Sequence, residues 1–203
     1  MNITSDSQRV VITGCGVISA LGNNWDDVSA ALKSKRNAVC FMEEWQQYQN
    51  MNTRLAAPIR DFALPDSYTK KKQRSMGRVA KLAVRATELA LADATLLDRE
   101  FLSSGEVGVA YGSATGSSAG AMEFFHLLAN QSTEKMNSTT YLRMMSHTAA
   151  VNISVYFGTQ GRMYTTSSAC TAGSQAIGYA FETIRSGQQK VMIAGGAEEL
   201  CPT

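Results

Sequence analysis

Long apolar runs are missing from this 203-residue chain. Nothing in it approaches the roughly 18 residues that a membrane-spanning helix needs. Its first nine residues are polar and hold no apolar core of the kind a signal peptide carries. Charge of one sign is missing too: 19 Lys and Arg stand against 17 Asp and Glu, a net charge of +2. So near-neutral a balance gives no whole-protein argument for nucleic acid. These absences lead us to expect a cytoplasmic protein with neither nucleic acid nor membrane as partner. Cysteine is scarce, with four residues at positions 15, 40, 170 and 201. None forms a CxxC pair, and their wide spacing is no disulfide framework, so reduced thiols are expected. We see no cluster of metal-ligand residues and expect no metal. There is no linker rich in Pro, Ser and Gly, no low-complexity tract and no short-period repeat. What remains is an ordinary globular composition, 44% hydrophobic and 18% charged, long enough for one sizeable core or two small ones.

The patterning is that of an α/β chain. Residues 9–14, a β-branched run ending at Gly14, read as a buried strand and a turn. Residues 25–33 have helical spacing, with Asn24 placed to cap them. Residues 37–67, which include Pro58 and Pro65, read as irregular surface chain. The clearest helix spans 78–96, rich in Ala, Leu and Val with Lys81, Arg85 and Glu88 on a polar side. A second buried strand is expected at 107–111, a helix at 119–130 and a helical apolar stretch at 141–157. A strand at 163–167, a helix at 172–186 and a strand at 190–194 complete the order. Such alternation favours a mainly parallel sheet with helices on both faces. A chain that stops at Thr203, soon after Gly195-Gly196, leaves such a sheet short of its completing elements. The expectation is one truncated domain over residues 1–203.

The sharpest feature is Thr165-Thr166-Ser167-Ser168-Ala169-Cys170-Thr171-Ala172-Gly173-Ser174. A β-branched strand runs into small residues, then a cysteine, then a helix. Small neighbours let an acyl group approach the backbone. The free N–H groups of a helix start favour the anionic form that a thiol nucleophile needs, and they could stabilise the oxyanion of a thioester under attack. A lone cysteine is, however, most often a small buried hydrophobe, and the local pattern leaves both readings open.

The stretch Ser168-Ala169-Cys170-Thr171-Ala172-Gly173 resembles the active-site segment of elongating β-ketoacyl-carrier-protein synthases. Three further stretches agree in order: residues 9–22 resemble the family's opening strand and turn, Gly112-Ser113 with Thr115-Gly116 its glycine-rich motif, and residues 191–198 the strand ending its first half. The resemblance runs from about residue 9 to the end of the chain. It implies the N-terminal half of a thiolase-like fold, with the other half absent, and a homodimer whose strand 163–167 lies near the two-fold axis. It also implies a reaction in two stages. Cys170 takes an acyl group from a carrier-protein thioester; malonyl-carrier protein then loses carbon dioxide, and its carbanion attacks the acyl-enzyme. Acyl carrier protein is the implied partner. No bound cofactor is implied, because the substrates carry their own phosphopantetheine. Two histidines and a lysine that assist this chemistry in the family belong to its second half. His126 and His147 lie in no segment resembling those motifs, and we expect them to be bystanders. The 203 residues alone are therefore not expected to catalyse condensation.

Residues 112–120 are rich in Gly and Ser but lack the GxGxxG spacing of a nucleotide cradle. By resemblance Thr115 and Gly116 line the acyl pocket, although elongating synthases often carry a bulkier apolar residue at the place of Thr115. The compact run Lys70-Lys71-Lys72-Gln73-Arg74 reads either as a solvated helix start or, through Lys71, Lys72 and Arg74, as a docking site for an acidic carrier protein. Gly77 departs from the acidic residue often found after that run. Two other functions share the fold. One is a non-catalytic partner subunit that sets chain length, although such subunits generally replace the cysteine. The other is a thiolase, which the opening motif fits less well.

Overall fold

The computed structural model describes residues 9–201. Its centre is a three-stranded, fully parallel sheet of β3 (Val107–Gly112), β4 (Met163–Thr166) and β5 (Val191–Gly196), in the order β4-β3-β5. Val109 pairs with Met163 on one side of the central strand and with Ile193 on the other. A two-stranded antiparallel ribbon, β1 (Cys40–Phe41) and β2 (Leu55–Ala56), gives residues 37–67 the little regular structure they have, together with one 3₁₀ turn.

Helix α1 (Trp25–Lys33) starts as expected, the Asn24 side chain accepting from the Asp27 N–H at 2.9 Å. A single turn, α2 (Lys70–Gln73), holds the basic run, and α3 (Arg78–Asp93) follows. The latter ends three residues before the expected Leu96. Thr95 takes a left-handed φ of 59° and the Leu96 N–H returns to the Leu91 carbonyl, which closes the helix. After the turn α4 (Arg99–Leu102) come β3 and α5 (Ser118–Asn130). The apolar stretch 141–157 forms two helices rather than one, α6 (Thr140–Met144) and α7 (Thr148–Phe157). At the break the Thr148 N–H and hydroxyl both donate to the Met145 carbonyl, a local bond that competes with continuing the helix. Helix α8 (Ala172–Arg185) links β4 to β5.

Side chains of β3 alternate across the sheet, as strand geometry requires. Val107, Val109 and Tyr111 join the main core with Val84, Ala150, Ile153 and Phe157, which α3 and α7 contribute. On the other face stand Gly108, Ala110 and Gly112, and there Ala110 packs on Ala176 and Ala180 of α8. A Cβ on Gly112 would come within 2.6 Å of the Ala172 backbone, so this position has to be glycine for α8 to lie where it does.

The strand expected over residues 9–14 does not form. A strand needs a neighbouring ladder to satisfy its backbone groups, and no described residue supplies one here. The segment instead runs along α3, with Gly14 and Gly16 against the backbone at Ala90 and Ala86 and the Cys15 N–H donating to Asp93. Ile12 is left 84% exposed.

Candidate active site

Parallel strands deliver their carboxyl ends to one edge of a sheet, and three loops meet at this one. The first follows β4. Thr166 is buried, and its hydroxyl donates to the Ala172 carbonyl at 2.7 Å, bending the chain sharply between strand and helix. Within that bend Ala169–Thr171 forms a 3₁₀ turn, with Ala169 at a left-handed φ of 50°. A left-handed alanine costs of order 1 kcal/mol or more and persists only where its surroundings hold it. Here the Thr171 N–H and hydroxyl both donate to the Ser168 carbonyl. The result is that Cys170 stands exposed immediately before α8. No side chain caps the start of that helix, and its first N–H, that of Ala172, donates to the Ala169 carbonyl within the turn. Cys15 is also exposed, and Cys40 and Cys201 are half-buried; none of the four is in a disulfide.

The second loop is the glycine- and serine-rich segment after β3. The Ser113 N–H donates to the Thr166 carbonyl at 3.1 Å, and the Ala114 carbonyl accepts from the Ser167 hydroxyl, also at 3.1 Å. Those bonds hold the start of the loop that carries Thr115 and Gly116 against Thr166 and Ser167. Gly116 is buried at a φ of 72° against the Met144 and Met145 backbone, where a side chain has no room. Thr115 is exposed, its hydroxyl donating to Glu198 at 3.4 Å. The α6–α7 break reaches the same place, since the Ser146 and Ser167 hydroxyls lie 3.4 Å apart. His147 is the next residue and is exposed; His126 sits on α5, with a buried Nδ1 that has no hydrogen-bond partner.

The third loop follows β5 and carries an acidic pair, Glu198 at the end of the motif 191–198 and Glu199, to which the sequence assigned no role. Glu198 accepts from the Ser113 hydroxyl (3.0 Å), the Ala114 N–H (2.6 Å) and the Thr115 hydroxyl. Glu199 accepts from the Ser117 hydroxyl (2.9 Å), the Ser118 N–H (2.6 Å) and the Ser118 hydroxyl. Two adjacent carboxylates just after a strand were the available signal: they need donors, and the run of serines after β3 supplies them.

The basic run is carried by the short helix α2 and Arg74 after it. Lys71, Lys72 and Arg74 are exposed, yet two of them also have partners within the chain. The Lys72 ammonium sits 5.0 Å from the centre of the Tyr156 ring, and Arg74 donates to the Ser138 hydroxyl at 3.4 Å. A cavity of about 440 Å³ between Ser19 and Asp61 and another of about 340 Å³ beside Trp45, Arg78 and Glu199 are both lined by residues other than Cys170.

Residues 7–203 match the model of the β-ketoacyl synthase N-terminal domain. The chain belongs to the β-ketoacyl synthase family. It is 30% identical over 196 residues to 3-oxoacyl-[acyl-carrier-protein] synthase 1 of Buchnera aphidicola, and 29% identical over 197 residues to that of Escherichia coli. These alignments take in 95% and 96% of this chain but 47% and 48% of the relatives. The chain thus spans about half the length of the curated relatives it matches, and it corresponds to their N-terminal half. Among solved structures, a β-ketoacyl synthase from Burkholderia phymatum superposes with a TM-score of 0.91 at 52% identity, over 95% of this chain and 47% of that one. The ishigamide ketosynthase/chain length factor superposes at 0.78 with 26% identity, over 94% and 47%. The fold is thiolase-like, as the resemblance implied. Among the described residues no helix is long and apolar enough to cross a membrane.

Proposed function

We propose that this chain supplies the nucleophile-bearing half of a decarboxylating condensing enzyme that lengthens an acyl chain by two carbons. The observation that carries the reading is Cys170, exposed on a left-handed turn at the uncapped start of α8. Its thiolate attacks the carbonyl carbon of a carrier-protein thioester. The tetrahedral oxyanion is held by backbone N–H groups at the helix start, and its collapse forms the Cys170 thioester and expels the phosphopantetheine thiolate. Malonyl-carrier protein then loses carbon dioxide, and the carbanion left behind attacks the Cys170 thioester, releasing the cysteine and leaving a β-ketoacyl chain on the carrier. The phosphopantetheine arrives on the substrates, so the chemistry calls for no resident cofactor or metal. Thr115 and Gly116 flank the acyl group. Acyl carrier protein approaches the surface bearing Lys71, Lys72 and Arg74. The partner subunit in a homodimer meets the edge strand β4, whose Met163 is 47% exposed. A setting in the cytoplasm suits four cysteines that form no disulfide. An intact Cys170 speaks against the non-catalytic chain-length subunit.

The test uses native-length protein and an acyl-carrier protein with a labelled acyl group. We expect one acyl adduct, mapped by mass spectrometry to Cys170 and lost in Cys170→Ala. Label on Cys15 or Cys40, or none on any thiol, overturns the reading. In the same assay, joint replacement of Lys71, Lys72 and Arg74 by Ala slows loading from carrier protein at low salt, while loading from a small thioester is unchanged. Equal rates from carrier protein remove the docking surface.

A further inference from the structure

Two neighbouring carboxylates that share the glycine–serine loop have different tasks in it. Glu199 binds the start of α5, through Ser117 and Ser118. Glu198 binds the peptide that touches the cysteine turn. The Ser113–Ala114 link is gripped from both sides. On one side are the Glu198 oxygens, which take the Ser113 hydroxyl and the Ala114 N–H. On the other are Thr166, which accepts from the Ser113 N–H, and Ser167, whose hydroxyl reaches the Ala114 carbonyl three residues before Cys170. The Ser113 hydroxyl also accepts from the Gly116 N–H at 3.2 Å, so the bond to Glu198 fixes the loop at its buried glycine as well. The far end of the grip is firm. The Ala197 N–H donates to the Gly112 carbonyl at 3.0 Å, and the Tyr111 hydroxyl donates to the Gly196 carbonyl at 3.2 Å. The three ion pairs among the described residues lie elsewhere, at Arg85–Glu88, Arg143–Glu123 and Lys190–Glu106. Glu198 is therefore bound through neutral hydroxyl and amide donors.

We propose that Glu198 is a positioning residue for Cys170: through Ala114 and Ser167 it sets where the cysteine turn stands relative to the acyl-pocket loop. The assignment rests on the reading of Cys170 as the acyl acceptor. Its physical content is a hydrogen-bond geometry rather than a charge. An isosteric glutamine can turn its carbonyl oxygen to the Ala114 N–H, which can only donate. Its amide then donates to the Ser113 and Thr115 hydroxyls, which can accept. An alanine leaves all three donors without a partner.

The experiment compares Glu198→Ala, Glu198→Gln and Glu199→Ala in native-length protein. Acylation of Cys170 by acyl-carrier protein is followed as kcat and KM, and backbone hydrogen exchange is followed by mass spectrometry. For Glu198→Ala we expect faster exchange in both 113–116 and 167–170, and a kcat for acylation lower by about tenfold to a hundredfold, the usual cost of small misplacements at a reacting centre. KM for the carrier stays near its original value. Glu198→Gln restores kcat and exchange protection together. Glu199→Ala loosens 117–120 and spares 167–170. Three results overturn the proposal: exchange in Glu198→Ala that rises in 113–116 alone, a kcat unchanged in that variant, or a Glu198→Gln enzyme as slow as Glu198→Ala, which would make the charge itself the agent. Should the parent protein form no acyl adduct on Cys170, the functional reading falls, and the exchange pattern still decides whether Glu198 holds the turn.

Discussion

The two faces of the central sheet are built on opposite plans. Towards α3 and α7 the strands present large side chains, Val107, Val109, Tyr111 and Ile193, and the space is filled by Val84, Ile153 and Phe157. Towards α8 the central strand presents only Gly108, Ala110 and Gly112, with the larger Tyr164 and Met192 confined to the outer strands, and the helix answers with Ala172, Ala176 and Ala180. The first face buries much apolar area, where hydrophobic stabilisation accrues. The second has the smaller side chains along β3 and brings backbone against backbone there, so that the start of α8 sits directly on the end of the strand. The sheet thus divides its labour, one face holding the fold together and the other holding Cys170 in place. Ile177, Tyr179 and Phe181 of α8 are left more than a third exposed, which shows how little of that helix the sheet itself covers.

Substitutions can break this contrast in either direction. The largest effect on stability belongs to the thick face. Ile153 is fully buried, and Ile153→Ala should lower unfolding free energy by about 2–5 kcal/mol. Denaturant titration reads that loss, while iodoacetamide labelling of Cys170 under native conditions should keep its rate. A labelling rate that changes as much as the stability would show that the two faces are not independent. Ala176→Leu attacks the seam instead. Overpacking there should cost about 1–3 kcal/mol, a smaller loss, yet acylation of Cys170 should fall further than it does in Ile153→Ala, because α8 must lift from β3. Equal acylation in the two variants would dissolve the distinction. The smallest effect concerns pH. Tyr111 is fully enclosed on the thick face, and burial pushes its hydroxyl well above the ordinary tyrosine value of 10.0. A group whose pKa is raised by folding holds its proton longer in the folded state, so stability is intact below pH 10 and falls as pH rises beyond it. Tyr111→Phe should flatten that alkaline limb in pH-dependent urea melts and lower stability at neutral pH by about 1 kcal/mol, through loss of the bond to the Gly196 carbonyl. An identical slope in both proteins would mean that Tyr111 contributes nothing to it.

The central strand and one long helix on each face were legible in the sequence. The expected strand 107–111 and helices 78–96 and 172–186 form as β3, α3 and α8, with α3 ending three residues early. The position of Cys170 was legible too, because small residues between a β-branched strand and a helix have few other arrangements. Two features were not. Residues 9–14 have a strand's composition, but composition says nothing about a neighbour, and without a ladder Val11 and Ile12 stay exposed. The helix break at Met145 turns on one threonine hydroxyl competing for one carbonyl, a choice no hydrophobic period records. Of the acidic pair, Glu198 was seen only as the end of a motif and Glu199 not at all. Its role depends on serines more than eighty positions away, joined to it by a sheet register that the linear order does not display.

That register has a kinetic consequence. Every strand pairing in the sheet is parallel, so each closes a long stretch of intervening chain: the Ser167–Ala114 bond spans 53 positions and the Tyr111–Gly196 bond spans 85. Long-range parallel pairings form slowly, because loop-closure entropy is lost before the contacts that compensate it exist. Helices such as α3 can appear early from local interactions alone. The turn that displays Cys170 cannot, since it waits on β3 meeting β4 and on β5 bringing Glu198 to the loop. The thiol is exposed throughout, but the geometry around it is among the last parts of the molecule to take shape. A chain caught part-way through folding therefore carries its cysteine in an ordinary, unorganised setting.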